Sequence, residues 1–173
     1  MNPRGTLHLL IGPVGAGKTT YACQCVARSG GVFLDLDSSM VRLYGADTRP
    51  TNEVIDWYIE RRERCRGLLW DVSVSILAVG IDVLLEIGLV SAKERYAFYD
   101  KARAQDLPLR VHLLDAPRNE RRERVARRNQ YPQPFTQIVP PALFEAASDA
   151  WEHPSEAECE AWELIDVAAV DRL

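Results

Sequence analysis

Residues 12–19 read GPVGAGKT and lie between the apolar run LHLLI (7–11) and the helix-compatible segment TYACQCVAR (20–28). The stretch fits the spacing G-x-x-x-x-G-K-[ST]. In this pattern glycines let backbone N–H groups approach a phosphate, and the lysine reaches the β- and γ-phosphates. A strand must enter such a loop and a helix must leave it, and the flanking sequences indicate both. The stretch therefore predicts a binding site for a nucleoside triphosphate.

The loop assigns a role to each of its residues. Lys18 is the predicted catalytic cation on the phosphates, and the Thr19 hydroxyl is predicted to hold a magnesium ion. The predicted cofactors are thus ATP and Mg²⁺. The predicted nucleotide-binding residues of the loop are Gly12, Pro13, Val14, Gly15, Ala16, Gly17, Lys18, Thr19 and Thr20.

Length and composition are those of one globular domain over residues 1–173, with 47% hydrophobic and 27% charged residues. The most apolar stretch, residues 67–90, is interrupted by acidic residues, which argues against a membrane span. The four cysteines include no C-x-x-C pair and are interpreted as reduced thiols of a cytoplasmic protein.

Charge is unevenly distributed along the chain. The net charge of −4 argues against general affinity for nucleic acid. Residues 101–128 nevertheless contain nine basic and four acidic side chains, whereas residues 141–173 contain nine acidic and one basic. The basic segment is therefore the predicted side of the molecule for an anionic ligand.

Strand and helix patterns alternate along the chain. Strands are predicted at 7–11, 32–36, 82–87, 109–114 and 164–170. Helices are predicted near 19–29, 38–44, 52–79 with a break near Gly67, 92–105, 117–129, 141–150 and 155–162. This alternation predicts an α/β fold of the P-loop NTPase type, with a five-stranded parallel sheet and helices on both faces.

Carboxylates follow three of the predicted strands, at the edge where ligands of parallel sheets bind. Asp35 and Asp37 end the second strand, and Asp37 is predicted to orient the acceptor hydroxyl and take its proton. The alternative role for Asp37 is that of a helix N-cap. Glu86 ends the third strand and is predicted to hold magnesium, or alternatively to face water. Asp115 after the fourth strand is interpreted as a cap.

An arginine-rich helix, PRNERRERVARRNQ (117–130), supplies candidate cations. Arg124 and Arg128 are four residues apart, so they share a helix face and are predicted to reach over a bound nucleotide. Their alternative role is in surface ion pairs. A proline-rich loop follows, and residues 118–140 are therefore predicted to form a lid.

Several segments together resemble the AAA_33 and zeta-toxin-like group of small P-loop kinases, which includes relatives of chloramphenicol phosphotransferase, gluconate kinase and polynucleotide 5′-kinase. The resemblance covers nearly the whole chain. It rests on LHLLIGPVGAGKTTYA, FLDLDSSMVRLYG, VLLEIGLVSAKERYAFYDKA, VHLLDAPRNERRERVARRN and PPALFEAASDAWEHPSEAE.

The resemblance implies a lidded fold like that of nucleoside monophosphate kinases, with roles for particular residues. Asp37 matches the hydroxyl-activating acid, and Arg124 and Arg128 match the paired lid arginines. Arg42 matches a substrate-binding arginine, although it lies five residues after the acid rather than the commoner three. Glu86 stands where the family commonly has Asp.

The sequence predicts an ATP-dependent phosphotransferase acting on a hydroxyl of a small molecule such as an antibiotic, sugar, nucleoside or nucleotide sugar. No membrane or nucleic-acid partner is expected. Two alternatives stay open: an ATP-binding or ATPase module with a regulatory role, and a polynucleotide 5′-kinase. A small-GTPase switch is disfavoured because the chain has no N-K-x-D motif, and an oligomeric motor because there is no room for a second subdomain.

Overall fold

Five parallel strands form the centre of the computed structural model, which describes residues 4–167. They are β1 (Leu7–Ile11), β2 (Val32–Asp35), β3 (Val83–Glu86), β4 (Leu109–Leu113) and β5 (Ile165–Asp166). Their order in the sheet is β2–β3–β1–β4–β5, and every pair is parallel. The predicted α/β fold is therefore confirmed. Residues 168–170 of the predicted fifth strand lie outside the described range.

Seven helices connect and flank these strands within residues 4–167. They are α1 (Lys18–Ser29), α2 (Leu36–Tyr44), α3 (Val54–Ala78), α4 (Ala92–Arg103), α5 (Arg118–Gln130), α6 (Pro141–Asp149) and α7 (Glu156–Ala161). The Ser91 side chain accepts a hydrogen bond from the backbone N–H of Glu94, and the Glu94 carboxylate accepts one from the backbone N–H of Ser91, which fixes the start of α4. No helix of the described chain is long and apolar enough to cross a membrane.

Alternating residues of the strands bury opposite faces of the sheet. Leu7, Leu9 and Ile11 of β1 belong to the core formed with α2, α3 and α4. Leu10 belongs to the smaller core beneath α1. Helices thus cover both faces, and the carboxyl edge of the strands is left open to a ligand.

Helix α3 is continuous, so the predicted break near Gly67 is wrong. A glycine in a helix interior weakens the helix but keeps its N–H donor, unlike proline. Buried side chains on either side of Gly67, among them Cys65, Leu69 and Trp70, hold the segment against the sheet. Their packing outweighs the lower helix propensity of one glycine.

The junction between β2 and α2 differs from its prediction. The strand ends at Asp35 and the helix begins at Leu36. The Asp35 carboxylate is the N-cap, accepting hydrogen bonds from the backbone N–H of Asp37 at 3.0 Å and of Ser38 at 3.3 Å. Asp37 therefore lies in the first turn of α2. It is neither a strand residue nor the cap.

Candidate functional site

The loop between β1 and α1 has the geometry of a phosphate cradle. Gly15 and Gly17 adopt φ angles of 80° and 103°, and residues that carry a side chain rarely adopt such angles. A Cβ at Gly12 would lie 2.0 Å from the carbonyl oxygen of Leu114, so only glycine fits there. The glycines of the motif are thus required by the backbone itself, as in loops whose N–H groups bind the phosphates of a nucleotide.

Lys18 lies inside this loop at the start of α1. Its Nζ donates hydrogen bonds to the carbonyl oxygens of Gly12 at 2.7 Å and Pro13 at 3.0 Å. The same Nζ is 3.9 Å from Oε1 of Glu86. The ammonium group therefore connects the loop to the end of β3.

Glu86 is buried, with 7% of its surface exposed, so the interpretation of a water-facing carboxylate is wrong. Its Oε1 accepts a hydrogen bond from the backbone N–H of Gly88 at 3.2 Å. Burial raises the pKa of Glu86 to about 7, with the charges of Asp37 and Asp35 adding to the rise and that of Lys18 opposing it. Because β3 lies between β1 and β2, this carboxylate is next to the loop.

Asp37 lies at the first turn of α2, two residues after Asp35, which pairs with Glu86 in the sheet. The residue is exposed, but the surrounding protein still removes part of the water from its carboxylate. This desolvation and the charge of Asp35 raise the pKa of Asp37, while the charges of Lys18, Arg128 and Arg62 lower it. The charges of the P-loop lysine and of one predicted lid arginine therefore act on this carboxylate.

Helix α5 is fixed against the loop by its first turns. The guanidinium of Arg121 donates to the carbonyl oxygens of Val14 at 3.0 Å and Ala116 at 2.9 Å. Gly15 approaches this helix so closely that a Cβ would lie 2.8 Å from the Arg121 carbonyl oxygen. The interpretation of Asp115 as a helix cap is wrong, because α5 begins after Pro117 without a side-chain cap, and Asp115 instead accepts from the N–H of Ala116.

The two predicted lid arginines lie in different surroundings. Arg124 pairs with Glu120 at 3.2 Å and lines a cavity of about 330 Å³ beside the loop. Arg128 is close enough for its charge to lower the pKa of Asp37, and its Nη2 donates to the carbonyl oxygen of Gln137 at 3.4 Å. The cavity lining comprises Ala16, Gly17, Thr20, Tyr21, Gln24, Leu114, Asp115, Arg124 and Val167.

The buried Nε of Arg128 has no hydrogen-bond partner among the described residues. A buried guanidinium donor without a partner is costly, so this group is suited to a further anionic or polar ligand.

Arg42, the predicted substrate-binding arginine, contacts the loop after α5. Its guanidinium lies 4.1 Å from the ring centre of Phe135, and it therefore connects α2 to that loop.

Two arginines of α3 support the site in a way that the sequence did not indicate. Arg62 and Arg66 both donate to the carbonyl oxygen of Gly88, at 2.6 and 2.7 Å, and Arg66 also donates to that of Ile87 at 2.8 Å. Arginine-rich helix faces are usually solvated, so the composition of α3 gives no sign of this role. The spacing of four residues between Arg62 and Arg66 is the only signal that they act together. They hold the turn whose N–H binds Glu86.

The donor atoms fit a magnesium ion. Hard divalent cations prefer oxygen ligands. The Thr19 hydroxyl at the start of α1 and the Glu86 carboxylate beside Lys18 are oxygen donors of this kind. A raised pKa at Glu86 reflects a buried carboxylate with too little nearby positive charge, which a bound cation would supply.

A sequence comparison identifies the family. A model of AAA domains, AAA_33, matches residues 7–154. The chain belongs to the AAA_33 family. The match includes the loop, Asp37, Glu86 and the two predicted lid arginines, and so the family resemblance noted from the sequence is confirmed. No curated protein matches this AAA_33 chain closely enough to be named as a relative.

Solved structures similar to this AAA_33 protein share its fold at low identity. A gluconokinase from Sinorhizobium meliloti 1021 aligns with a TM-score of 0.54 and 17% identity, over 96% of this chain and 83% of that chain. Kti12 of Chaetomium thermophilum in complex with ADP-AlF3 aligns with a TM-score of 0.61 and 18% identity, over 96% and 94%. A chain of the Pnkp1/Rnl/Hen1 RNA repair complex aligns with a TM-score of 0.63 and 16% identity, but this protein spans only 45% of it. The protein therefore has a P-loop, nucleotide-binding, kinase-like fold.

Proposed function

We propose that this protein is an ATP-dependent phosphotransferase that transfers the γ-phosphate to a hydroxyl group of a small molecule. The observation that carries the proposal is the position of Asp37. Asp37 follows Asp35, the β2 residue that pairs with Glu86 beside Lys18, and the charges of Lys18 and Arg128 act on its carboxylate. A protein that only binds ATP has no use for a carboxylate there, since it places negative charge near the phosphates.

Each of these residues has a separate role in the proposed reaction. Lys18 and the N–H groups of the loop bind the β- and γ-phosphates, and Arg128 offsets the charge that spreads over the transferring phosphoryl group. Asp37 accepts a hydrogen bond from the acceptor hydroxyl and takes its proton as the new O–P bond forms. The bond from the γ-phosphorus to the bridging oxygen breaks, and ADP leaves with that oxygen. The raised pKa of Asp37 makes it a better base for this step.

Thr19 and Glu86 would hold Mg²⁺, which supplies positive charge to the phosphate oxygens. The chain's own contribution is to hold the Glu86 carboxylate in one place. Glu86 is buried and fixed by the N–H of Gly88. Arg62 and Arg66 in turn hold the carbonyl oxygen of Gly88, so the acid stays at one distance from Lys18.

The similar solved structures support a kinase reaction but do not identify the acceptor of this protein. One is described as a gluconokinase and another belongs to an RNA repair complex. Their low identities leave the acceptor open, and the net charge of −4 disfavours a polynucleotide.

A phosphate-ester screen tests the proposal. The full chain is incubated with γ-labelled ATP and Mg²⁺ over hydroxyl-bearing antibiotics, sugars, nucleosides and oligonucleotide 5′ ends, and labelled esters are detected by mass spectrometry. We expect an ester from at least one small-molecule class, and a loss of about 10²-fold or more with Lys18→Ala. Lys93→Ala, on an exposed part of α4, is the control. Release of inorganic phosphate alone, with no ester from any class, would contradict the proposal.

A further inference from the structure

The cavity beside the P-loop and the predicted magnesium acid lie on opposite sides of β1. Glu86 ends β3 on one side, whereas Leu114 and Asp115, which line the cavity, follow β4 on the other side. A triphosphate bound by the loop with its γ-phosphate toward Glu86 therefore directs its nucleoside toward the cavity. The volume of about 330 Å³ is at the lower end of the range for small-molecule sites.

Tyr21 of α1 connects the wall of this cavity to the interior of the protein. It lines the cavity together with Thr20 and Gln24 of the same helix. Its hydroxyl oxygen lies 3.0 Å from Nδ1 of His112, a residue of β4 that is only 7% exposed. The two rings are tilted by 47°, with their centres 5.6 Å apart. A buried imidazole therefore contacts a residue of the cavity wall.

A second imidazole continues this contact across the sheet. Nδ1 of His8 in β1 is 2.9 Å from Nε2 of His112, and Nε2 of His8 is 3.8 Å from Oδ2 of Asp82, which precedes β3. Asp82 is itself fixed, because its Oδ1 accepts a hydrogen bond from the backbone N–H of Thr6 at 2.7 Å. Asp82, His8, His112 and Tyr21 thus form a continuous series of polar contacts, the histidine chain, that ends at the cavity.

Both imidazoles of the histidine chain are neutral near pH 7. Burial lowers the pKa of His8, with the charge of Asp82 opposing this effect and that of Arg110 adding to it. Burial also lowers the pKa of His112 to about 4, and the charges of His8 and Arg110 add to the lowering. Each ring therefore has one donor nitrogen and one acceptor nitrogen.

Asp82 sets the direction of the hydrogen bonds in the histidine chain. An ionised carboxylate only accepts, so the nitrogen of His8 that faces it, Nε2, carries the ring proton. Nδ1 of His8 is then an acceptor, and Nε2 of His112 donates to it. Nδ1 of His112 is in turn an acceptor, and the Tyr21 hydroxyl donates to it. The opposite direction would place a nitrogen lone pair of His8 against the carboxylate.

The core beneath α1 does not need imidazoles for its stability. Its other buried members are apolar, namely Leu10, Ala16, Ala22, Leu84, Leu114 and Val167. Replacing a hydrogen-bonded pair in such a layer by apolar groups of the same shape is often neutral or stabilising. What the histidine chain adds is a hydrogen bond of fixed direction to one residue of the cavity wall.

We infer that His112 is a positioning residue for nucleotide binding, whose Nδ1 holds the Tyr21 hydroxyl and so fixes the wall of the cavity toward which the nucleoside points. His8 and Asp82 keep the proton of His112 on Nε2 and leave Nδ1 as the acceptor. The inference requires that the protein binds a nucleotide. It does not require that the phosphate is transferred to a hydroxyl, and it therefore stands apart from the proposed reaction.

Two substitutions at His112 separate the contact with Tyr21 from the bulk of the side chain. In His112→Asn the amide oxygen takes the position of Nδ1 and still accepts from Tyr21. In His112→Gln the longer side chain brings its amide to the position of Nε2, beside His8, and the acceptor at the Nδ1 position is lost. The dissociation constant of Mg²⁺–ADP for the full chain is measured by calorimetry at about pH 7.5, where both imidazoles are neutral.

We expect His112→Asn to bind ADP within about twofold of wild type and His112→Gln to bind it about fivefold more weakly, the usual effect of one lost hydrogen bond. A role in packing alone predicts the reverse, because glutamine fills more of the histidine volume. Tyr21→Phe should also bind about fivefold more weakly. Combining it with His112→Gln should add no further loss, because both changes remove the same contact.

Tyr96→Phe is the matched control. It makes the same chemical change on α4, which covers the opposite face of the sheet, and should leave ADP binding unchanged. Melting temperatures show whether each variant is folded. Tyr21→Phe and the wild-type protein decide the question even where a change at the buried His112 prevents folding.

The wild-type protein supplies a spectroscopic test. Long-range proton–nitrogen NMR correlation reports which nitrogen of each imidazole carries the proton. We expect His8 and His112 to be neutral, with the ring proton of each on Nε2. A proton on Nδ1 of His112, or an imidazolium at either position, would overturn the inference.

Unchanged ADP binding in Tyr21→Phe, a larger loss in His112→Asn than in His112→Gln, or additive losses in the double variant would overturn it too. So would a loss in Tyr96→Phe equal to that in Tyr21→Phe. The expected pattern of ADP binding, combined with no phosphate ester from any acceptor class, would instead overturn the proposed function and leave the role of His112 in place.

Discussion

Glu86 shows how one residue's environment sets its chemistry. It ends β3 as predicted, but the position of β3 between β1 and β2 brings it within 3.9 Å of Lys18 and buries it. A carboxylate at a strand end is equally consistent with a solvated surface, so its sequence position could not decide between the two roles. Burial decides, because it raises the pKa of Glu86 to about 7.

The raised pKa predicts a specific dependence of stability on pH. The unfolded chain releases this proton near 4.5 and the folded protein near 7, so the stability from this group is complete below 4.5 and lost as pH rises through 7. We expect Glu86→Gln to lose less stability than wild type between about pH 5 and about pH 8, by on the order of 1–3 kcal/mol. Urea unfolding across this range measures the difference. Glu63→Gln, at an exposed site, should behave as wild type, and a Glu86→Gln curve parallel to wild type would refute the assignment.

At the scale of the element, helix α5 positions Arg124 and Arg128 in different surroundings. Arg124 lines the cavity beside the loop, and Arg128 lies near Asp37. Their spacing predicts that both lie on one helix face. It does not show that Arg124 lies at the cavity beside the loop while Arg128, one helical turn later, acts on Asp37. The sequence pattern predicts the same role for Arg124 and Arg128, whereas in the structure they have different neighbours.

This division predicts different kinetic effects. Arg124→Ala should raise KM for ATP about tenfold with little loss of kcat, because it removes ground-state contact with the nucleotide. Arg128→Ala should lower kcat by about 10²-fold, because it removes charge from the transition state. Steady-state kinetics of both variants, with the exposed Arg127→Ala as the control, measures this. Identical effects of the two variants would show that they act as one pair.

The continuity of α3 gives a prediction about stability. Nothing lies within 4 Å of the position that a Cβ would occupy at Gly67, and the residue is in a helix interior. We expect Gly67→Ala to raise the free energy of unfolding by about 0.5–1 kcal/mol, because alanine loses less backbone entropy on folding. Thermal and urea unfolding test it. Gly45→Ala should destabilise instead, since its Cβ would lie 2.3 Å from the Val41 carbonyl oxygen. Destabilisation by Gly67→Ala would favour the broken helix that the sequence suggested.

At the scale of the whole molecule, local patterns predicted the elements better than their arrangement. The P-loop spacing and the strand–helix alternation depend on neighbouring residues, and both match the structure. The order of the strands depends on contacts between distant segments, and no short pattern encodes it.

The β2–α2 junction shows one feature that the sequence pattern does not predict, namely which aspartate caps the helix. Two aspartates lie two residues apart, and either could cap the helix. The structure uses Asp35 for the cap, so the side chain of Asp37 is not needed to cap the helix. A change at Asp37 therefore tests the chemistry without removing the cap.

The most direct test of the whole account compares ATP binding with transfer in Asp37→Asn. Calorimetric titration of ATP–Mg²⁺ and the rate of transfer to the acceptor found in the ester screen are measured on the same preparations. We predict ATP binding equal to or slightly tighter than that of wild type, an unchanged melting temperature, and transfer slower by about 10²–10⁴-fold. Transfer at the wild-type rate in Asp37→Asn would contradict the account.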